Sequence, residues 1–201
     1  MIKSLLKRIF KPAPQKNNYV IAQLNDKIMP IDRGDVYEDP LDSFLKLKYF
    51  GQVTGGGTLL MANGENEYCD LEIEIIIKPF TQNAINEIIS KLEELGAPKG
   101  SQLIIEQTGQ KIPFGKLEGM AVYLDGVNLS DEVYKNSDTE TIAEKIRSLA
   151  GINSDVLRYW QGNTETALYF YATSFNEMKS SISELLKTDP ECENARVVQI
   201  A

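Results

Sequence analysis

The chain has 201 residues, 42% of them hydrophobic and 25% charged, which are the proportions of a folded globular protein rather than of a disordered segment. It contains no histidine, which removes Ser-His-Asp and Cys-His nucleophile activation, histidine acid–base work and the commonest zinc, copper and non-haem iron sites. A formal net charge of −8 argues against nucleic-acid binding, which needs the opposite sign over most of its footprint.

The charge is unevenly spread. Residues 1–16 hold five basic side chains (Lys3, Lys7, Arg8, Lys11, Lys16) and no acid, so of the 21 basic residues 16 remain against 29 acidic ones, a net −13. Residues 1–18 are therefore set apart as a basic amphipathic N-terminal segment. Within 1–11, Ile2, Leu5, Leu6, Ile9 and Phe10 follow helical spacing, and Pro12 and Pro14 end the pattern. Such a segment either rests on an anionic membrane surface or docks or frays on its own protein; three turns bury little area, which favours the latter. The start lacks the apolar core and cleavage site of a secretory signal. Cys69 and Cys192 form no CxxC pair, so neither a disulfide framework nor structural zinc is expected, and a cytoplasmic setting fits.

From residue 19 onward one order of patterns occurs twice: strand, helix, strand, hairpin turn, strand, helix, strand. That order predicts an α+β protein of two tandem ferredoxin-like (βαββαβ) units with antiparallel sheets, unit 1 over 19–107 and unit 2 over 119–201. Unit 1 opens with a strand at 19–24 and a long acidic loop at 25–38. Asp39 then reads as an N-cap with Pro40 at the first helical position, and Gly51 closes that helix. A glycine-rich strand at 52–61 leads to Asn63-Gly64, a two-residue hairpin signal. The next strand, 68–77, alternates: Cys69, Leu71, Ile73, Ile75 and Ile77 on one face, Asp70, Glu72 and Glu74 on the other. A helix with Ile85, Ile88, Ile89, Leu92 and Leu95 as its apolar stripe runs to Gly96, and 103–105 supplies the last strand. Residues 108–116, with Gly, Pro and Lys, read as a linker.

Unit 2 starts with a strand at 120–124. Ser137-Asp138 precedes a helix bearing Ile142, Ile146 and Leu149, ended by Gly151. Strands at 156–160 and 167–173 flank a Gln161-Gly162-Asn163 turn, a helix spans 175–187, and 196–200 closes the sheet.

In such a unit both helices cover one sheet face. The other face would carry Asp70, Glu72 and Glu74 in unit 1, and Tyr169 and Tyr171 in unit 2. Carboxylates at every second residue could hold a hard cation, receive arginines of a partner or stand as a solvated face, the last two being favoured. The tyrosines suit either an interface hot spot or packing against the other unit. The loop residues Asp32, Arg33, Asp35 and Glu38 either contact a partner or form Asx-turns. Gly55-Gly56-Gly57 lacks the Gly-Lys-Ser/Thr of a phosphate loop and marks a bulge or close backbone approach instead.

The segments Ile28-Met29-Pro30-Ile31-Asp32-Arg33-Gly34, Tyr37-Glu38-Asp39-Pro40-Leu41, Val53-Thr54-Gly55-Gly56-Gly57-Thr58, Tyr68-Cys69-Asp70-Leu71-Glu72 and Leu95-Gly96-Ala97-Pro98-Lys99-Gly100-Ser101 resemble a group of uncharacterised bacterial conserved hypothetical proteins. The resemblance covers unit 1 and hardly touches unit 2, and it implies a bacterial source. In type, though not in motif, size and acidity also resemble toxin-immunity proteins. The expectation is thus a non-catalytic, acidic protein-interaction module of the inhibitor or immunity kind. Its partner would be a basic protein such as a toxin domain, and no catalytic residue, metal or cofactor is expected. The alternative is a small-molecule or anion-binding enzyme or sensor at the 32–39 loop and Gly55–Gly57, with Arg33 binding an anion and Asp32 or Glu38 as base.

Overall fold

The computed structural model describes residues 18–201; the expected amphipathic helix at 1–11 lies outside them. The chain is a mixed α+β protein with two antiparallel sheets. The first sheet contains β1 (Asn18–Leu24), β2 (Gly51–Leu60), β3 (Asn66–Ile75), β4 (Ser101–Ile105) and β5 (Gln110–Phe114), in the order β2-β3-β1-β4-β5. The second contains β6 (Glu118–Asp125), β7 (Tyr159–Gln161), β8 (Glu165–Ala172) and β9 (Arg196–Gln199), in the order β7-β8-β6-β9.

The alternation in β3 does what it predicts. Cys69, Leu71, Ile73 and Ile75 are buried beneath the helices with Val20, Ala22 and Leu24 of β1 and Leu103 of β4. Helix α3 (Gln82–Glu94) contributes Ala84, Ile85, Ile88 and Leu92 to that core, and the Thr81 side chain caps it by accepting from Ala84 N. A second core joins Met120, Val122 and Leu124 of β6 to Leu168 and Phe170 of β8, under Ile142 and Ile146 of α5 (Thr139–Leu149) and Met178 of α6 (Phe175–Ser181). The helix expected after Ser137-Asp138 is present as α5, and Asp138 caps it, accepting from Glu140 N and the Thr141 hydroxyl.

Five local readings are corrected. Residues 30–38 are helical: α1 (Pro30–Arg33), a π turn (Gly34–Glu38) and α2 (Asp39–Leu47) run on without a break. Asp39 has helical φ and ψ of −66° and −44°, and its N–H bonds back to Gly34 O across the wide turn. That turn lets Pro40, which has no N–H to give, sit inside a helical run. Asn63-Gly64 is part of a longer hairpin loop in which Gly64 N donates to Met61 O and Gly64 takes φ +85°. The linker reading fails because residues 110–114 pair with β4, turning Ile112 and Phe114 inward and Lys111 and Pro113 outward; proline is tolerated on an edge strand. The strand expected at 156–160 is reduced to the three residues of β7. The helix expected at 175–187 breaks at Ile182 into α6 and α7 (Ser183–Thr188). A short helix, α4 (Asp131–Asn136), was not foreseen.

The halves meet at a tight crossing where Lys99 N donates to Leu117 O and Lys116 N to Ala97 O, at 2.7 and 3.1 Å. Gly115 allows it with φ +106°, and an added Cβ would lie 1.8 Å from Pro98 O. Gly34, in the π turn, has helical angles and open space where a Cβ would go. Gly115→Ala is therefore expected to cost about 2 kcal/mol or more, while Gly34→Ala should add roughly 0.4–1 kcal/mol. Urea midpoints of the two variants check the opposite signs.

Candidate functional site

Three polar arrangements compete for the role of functional site. The first is a seam of charge between the halves. β1 ends at Leu24 and delivers Asp26, whose side chain is wholly buried, to the centre of the contact. Arg158, just before β7, grips it with two bonds, Nε to Oδ1 at 2.8 Å and Nη2 to Oδ2 at 3.1 Å. The buried Tyr37 hydroxyl donates to Oδ2 at 2.7 Å. Burial works against the Arg158 charge, but Asp26 outweighs it and holds the guanidinium protonated beyond its ordinary range. Burial, then Asp26, pushes the Tyr37 phenol well up.

Around this pair Tyr171 accepts from Lys27 N at 2.9 Å, and the Arg158 guanidinium lies 5.5 Å from its ring. The Tyr123 hydroxyl donates to buried Glu65 at 3.1 Å, and Lys27 Nζ stands 3.8 Å from the same carboxylate. Desolvation lowers Lys27, while Glu65, Glu67 and Asp26 oppose that fall. The hydroxyl of Tyr169, also near Glu65, is buried and finds no partner of hydrogen-bonding geometry. Tyr169 and Tyr171 thus face the first half: with Ala121, Tyr123, Ala167, Trp160 and Ile200 they form the apolar contact between halves. Aromatic bulk drives that face inward, and the hydroxyls of Tyr123 and Tyr171 take partners there.

The second arrangement is the sheet face opposite α2 and α3. Asp70, Glu72 and Glu74 lie on it side by side with Gln23, Ile21 and Tyr19 of β1. Glu72 is exposed and the other two are half-buried. Gln52 Nε2 donates to Glu74 at 2.8 Å. On the outer side the register places Gly57 opposite Asp70 and Gly55 opposite Glu72, so two of the three carboxylates have no side chain between them and the sheet edge. Burial raises the Asp70 carboxyl, a hydrogen bond from Gln23 opposes this, and Glu72 adds to it. Its Oδ1 atom is buried without a partner.

The third is the helix side of β2. Arg33 Nε donates to Glu38 at 2.6 Å and Nη1 to the Thr58 hydroxyl at 3.0 Å. A Cβ on Gly56 would crowd both Arg33 and Glu38. The 32–39 segment and Gly55–Gly57 do adjoin, but Arg33 is spent on internal partners and only 12% of its side chain is exposed. Asp32 is half-buried and Asp35 exposed, and neither converges with the carboxylates of β3.

A cleft of about 480 Å³ opens between the halves, lined by Leu95 and Leu117 on one side and Arg147, Ser154, Arg158 and Tyr171 on the other. No sequence motif marks it, because its walls come from segments far apart in the chain. Among the described residues, no group of three or more His, Cys, Asp or Glu side chains is arranged to hold a metal ion, and no helix is long and apolar enough to cross a membrane.

No protein-family model matches the chain, and no curated protein matches it. Among solved structures it is similar to an unknown protein from Galdieria sulphuraria, at 9% identity over 91% of this chain and 96% of that one, TM-score 0.29. It is also similar to a putative monooxygenase from Lactobacillus acidophilus NCFM, at 13% identity over 93% and 95% of the two chains, TM-score 0.28. At such TM-scores neither likeness bears on function.

Two outcomes are expected from the seam and the face. Asp26→Asn leaves Arg158 buried without its counter-charge and should cost about 3–5 kcal/mol; adding Arg158→Met should recover much of it, as a double-mutant cycle in urea would read. Asp70 titrates higher folded than unfolded, so its ionised form subtracts stability at neutral pH, and that deficit is relieved as pH falls through the folded and then the unfolded pKa. Asp70→Asn should therefore stabilise at pH 7, with the gain fading by about pH 3. Denaturation midpoints at the two pH values decide it.

Proposed function

We propose that this protein is a non-catalytic interaction module that binds a basic protein through the acidic face of its first sheet. The observation that carries this reading is the disposition of Asp70, Glu72 and Glu74, which share one sheet face, away from the helices and on the opposite side of the sheet from Arg33. Carboxylates gathered around a reactive centre would converge in a concave, dry site; these stand in a row about 7 Å apart along the strand. Negative charge of this kind speeds encounter with a cationic target and penalises wrong partners. The reading extends to an inhibitor of the immunity kind, which would occlude a basic toxin domain, and to a bacterial cytoplasmic setting.

The same proposal includes the architecture. Each half follows the order strand, helical segment, two strands, helical segment, strand, and each sheet places its first strand between its third and its fourth. Both features support two tandem ferredoxin-like units, the first extended by β5. In this arrangement one open face is closed by the other half and one is left for a partner.

A second reading rests on the interdomain cleft, whose wall includes Arg147 and Arg158. It would make the protein a sensor of a small anion, with the cleft in place of the 32–39 loop. Arg158 is already neutralised by Asp26, which weakens the case for an anion there.

Affinity capture from the native host, identified by mass spectrometry and repeated with Asp70→Asn/Glu72→Gln/Glu74→Gln, tests the main reading. The expected result is a basic protein whose capture falls at least about tenfold in the triple variant and weakens with salt. Recovery of no stable partner, or of partners indifferent to the triple change, would count against it. A thermal shift by phosphate or nucleotides abolished in Arg147→Ala would favour the cleft.

A further inference from the structure

The first sheet has two edges and treats them differently. β5 carries Lys111 and Pro113 on its five residues, both common guards against unwanted strand pairing. In the second sheet the edges are blunted by brevity, three residues in β7 and four in β9. β2 is the exception: ten residues, GQVTGGGTLL, with neither a charge nor a proline. Irregularities at Val53/Gly55 and Leu59/Leu60 bound it, and Asp42 Oδ1 occupies the Val53 N–H at 3.0 Å. Between them lies the stretch Gly55 to Leu59. Gly56 and Gly57 are exposed, and in a glycine that exposure is bare backbone.

The same stretch has an unusual surface. On the open face β2 presents Gly55, Gly57 and Leu59, and the β3 residues behind them are Glu72, Asp70 and Tyr68. Nothing lies within 4 Å of where a Gly57 Cβ would stand, and a Gly55 Cβ would meet only Glu72 Oε2. Leu59 is 44% exposed. A strand added beside β2 would lie two strand spacings, about 10 Å, from β3. A lysine or arginine on it could stretch over either glycine and reach the carboxylate behind.

We infer that β2 is the docking edge for an extended, cationic segment of the partner protein, which adds as an antiparallel strand beside Gly55 to Leu59. This rests on the acidic-face reading and specifies how the partner engages it. Running antiparallel to β2, the segment follows the pattern apolar-x-cation-x-cation. Its apolar side chain covers Leu59, the first cation crosses Gly57 to Asp70, and the second crosses Gly55 to Glu72. The intervening side chains point toward the helix side, where Gly56 sits against Arg33 and Glu38, and are therefore small. Backbone bonds to the edge provide affinity, and the alternating side chains provide selectivity.

The test uses the full chain and two capped peptides, TVTKTKT and its charge-reversed form TVTETET. Isothermal titration and amide hydrogen exchange are followed for wild type, Gly57→Val and Asp70→Asn/Glu72→Gln. A Gly57 side chain meets open space, so Gly57→Val fills the bare strip without disturbing the fold. The expected result is binding of TVTKTKT with slowed exchange at the amides of residues 55–59. That binding should be about tenfold weaker for TVTETET, and about tenfold weaker in either variant, a loss worth about 1.4 kcal/mol. Preference for TVTKTKT that survives Gly57→Val, with no protection at residues 55–59, overturns strand addition while leaving the acidic face as a docking surface. Equal binding of both peptides, or none, overturns both readings. A concentration-dependent dimer by light scattering that is lost in Gly57→Val assigns the edge to a second copy of this chain and overturns the partner segment proposed here.

Discussion

The arrangement of the molecule depends on one buried ion pair. Asp26 and Arg158 lie 132 residues apart in sequence and hold each other through two bonds, with Tyr37 as a third ligand to the carboxylate. Taking both charges out of water costs several kcal/mol each, so such a pair is tolerable only when its geometry is good and its remaining acceptors are filled. Those conditions are met because Asp26 follows β1, a central strand with neighbours on both sides, and cannot drift. The second half must bring Arg158 to that fixed point, which determines how one sheet sits against the other. Such a pair adds little net stability against an apolar packing, but breaking it is costly, because a shifted packing would leave a bare charge in the interior.

From that constraint follows the opposite fate of two equivalent faces. Each sheet has one side covered by helices and one side left over. In the second sheet the leftover side bears Tyr123, Tyr169, Tyr171 and Trp160, large rings with polar tips that gain from burial provided the tips find partners. In the first sheet it bears Asp70, Glu72 and Glu74, whose burial would be prohibitive without matching cations. The aromatic face therefore turns to the loops after β1 and β2 and is consumed, while the acidic face stays in water. Each sheet places its first strand between its third and its fourth, and the leftover faces differ in side-chain chemistry.

How much of this could be read from the chain differs by kind of signal. Period-two alternation placed Leu71, Ile73 and Ile75 in the core and Asp70, Glu72 and Glu74 opposite, because a strand has only two faces. Helical spacing places Ile85, Ile88 and Leu92, and the start of the helix after Ser137-Asp138 is legible because the capping contacts there act within three residues. Proline misled twice, for opposite reasons: Pro40 sits inside a helical run that a π turn makes possible, and Pro113 sits in a strand whose outer edge asks nothing of its missing N–H. Acidic and glycine content makes residues 30–38 read as loop, although the helical run is held there by Arg33, which reaches Glu38 five residues on and Thr58 on the neighbouring strand. The seam was invisible. Asp26, Lys27, Glu65 and Arg158 look like ordinary surface residues, since nothing local says that a second half will cover them. Of the two roles the sequence leaves open for Tyr169 and Tyr171, the structure shows packing against the first half of their own chain.

The glycines of β2 now have a physical explanation. Three in succession weaken a strand by removing side-chain packing and by the extra entropy lost on ordering, about 0.5–1 kcal/mol each relative to alanine. The strand survives because the helical run grips it from one side: Arg33 holds Thr58, Asp42 holds the Val53 amide, and Gly56 admits Arg33 and Glu38 where a Cβ would crowd them. That packing explains Gly56 alone. Gly55 and Gly57 point the other way, into open space or toward a single carboxylate oxygen, so packing does not require their lack of side chains. A strand bare on its open side, unguarded at its edge and backed by Asp70, whose ionised form costs stability, carries three separate burdens that folding does not require. One cationic strand laid along that edge would relieve all three at once, by pairing the backbone, covering the bare strip and neutralising the carboxylates.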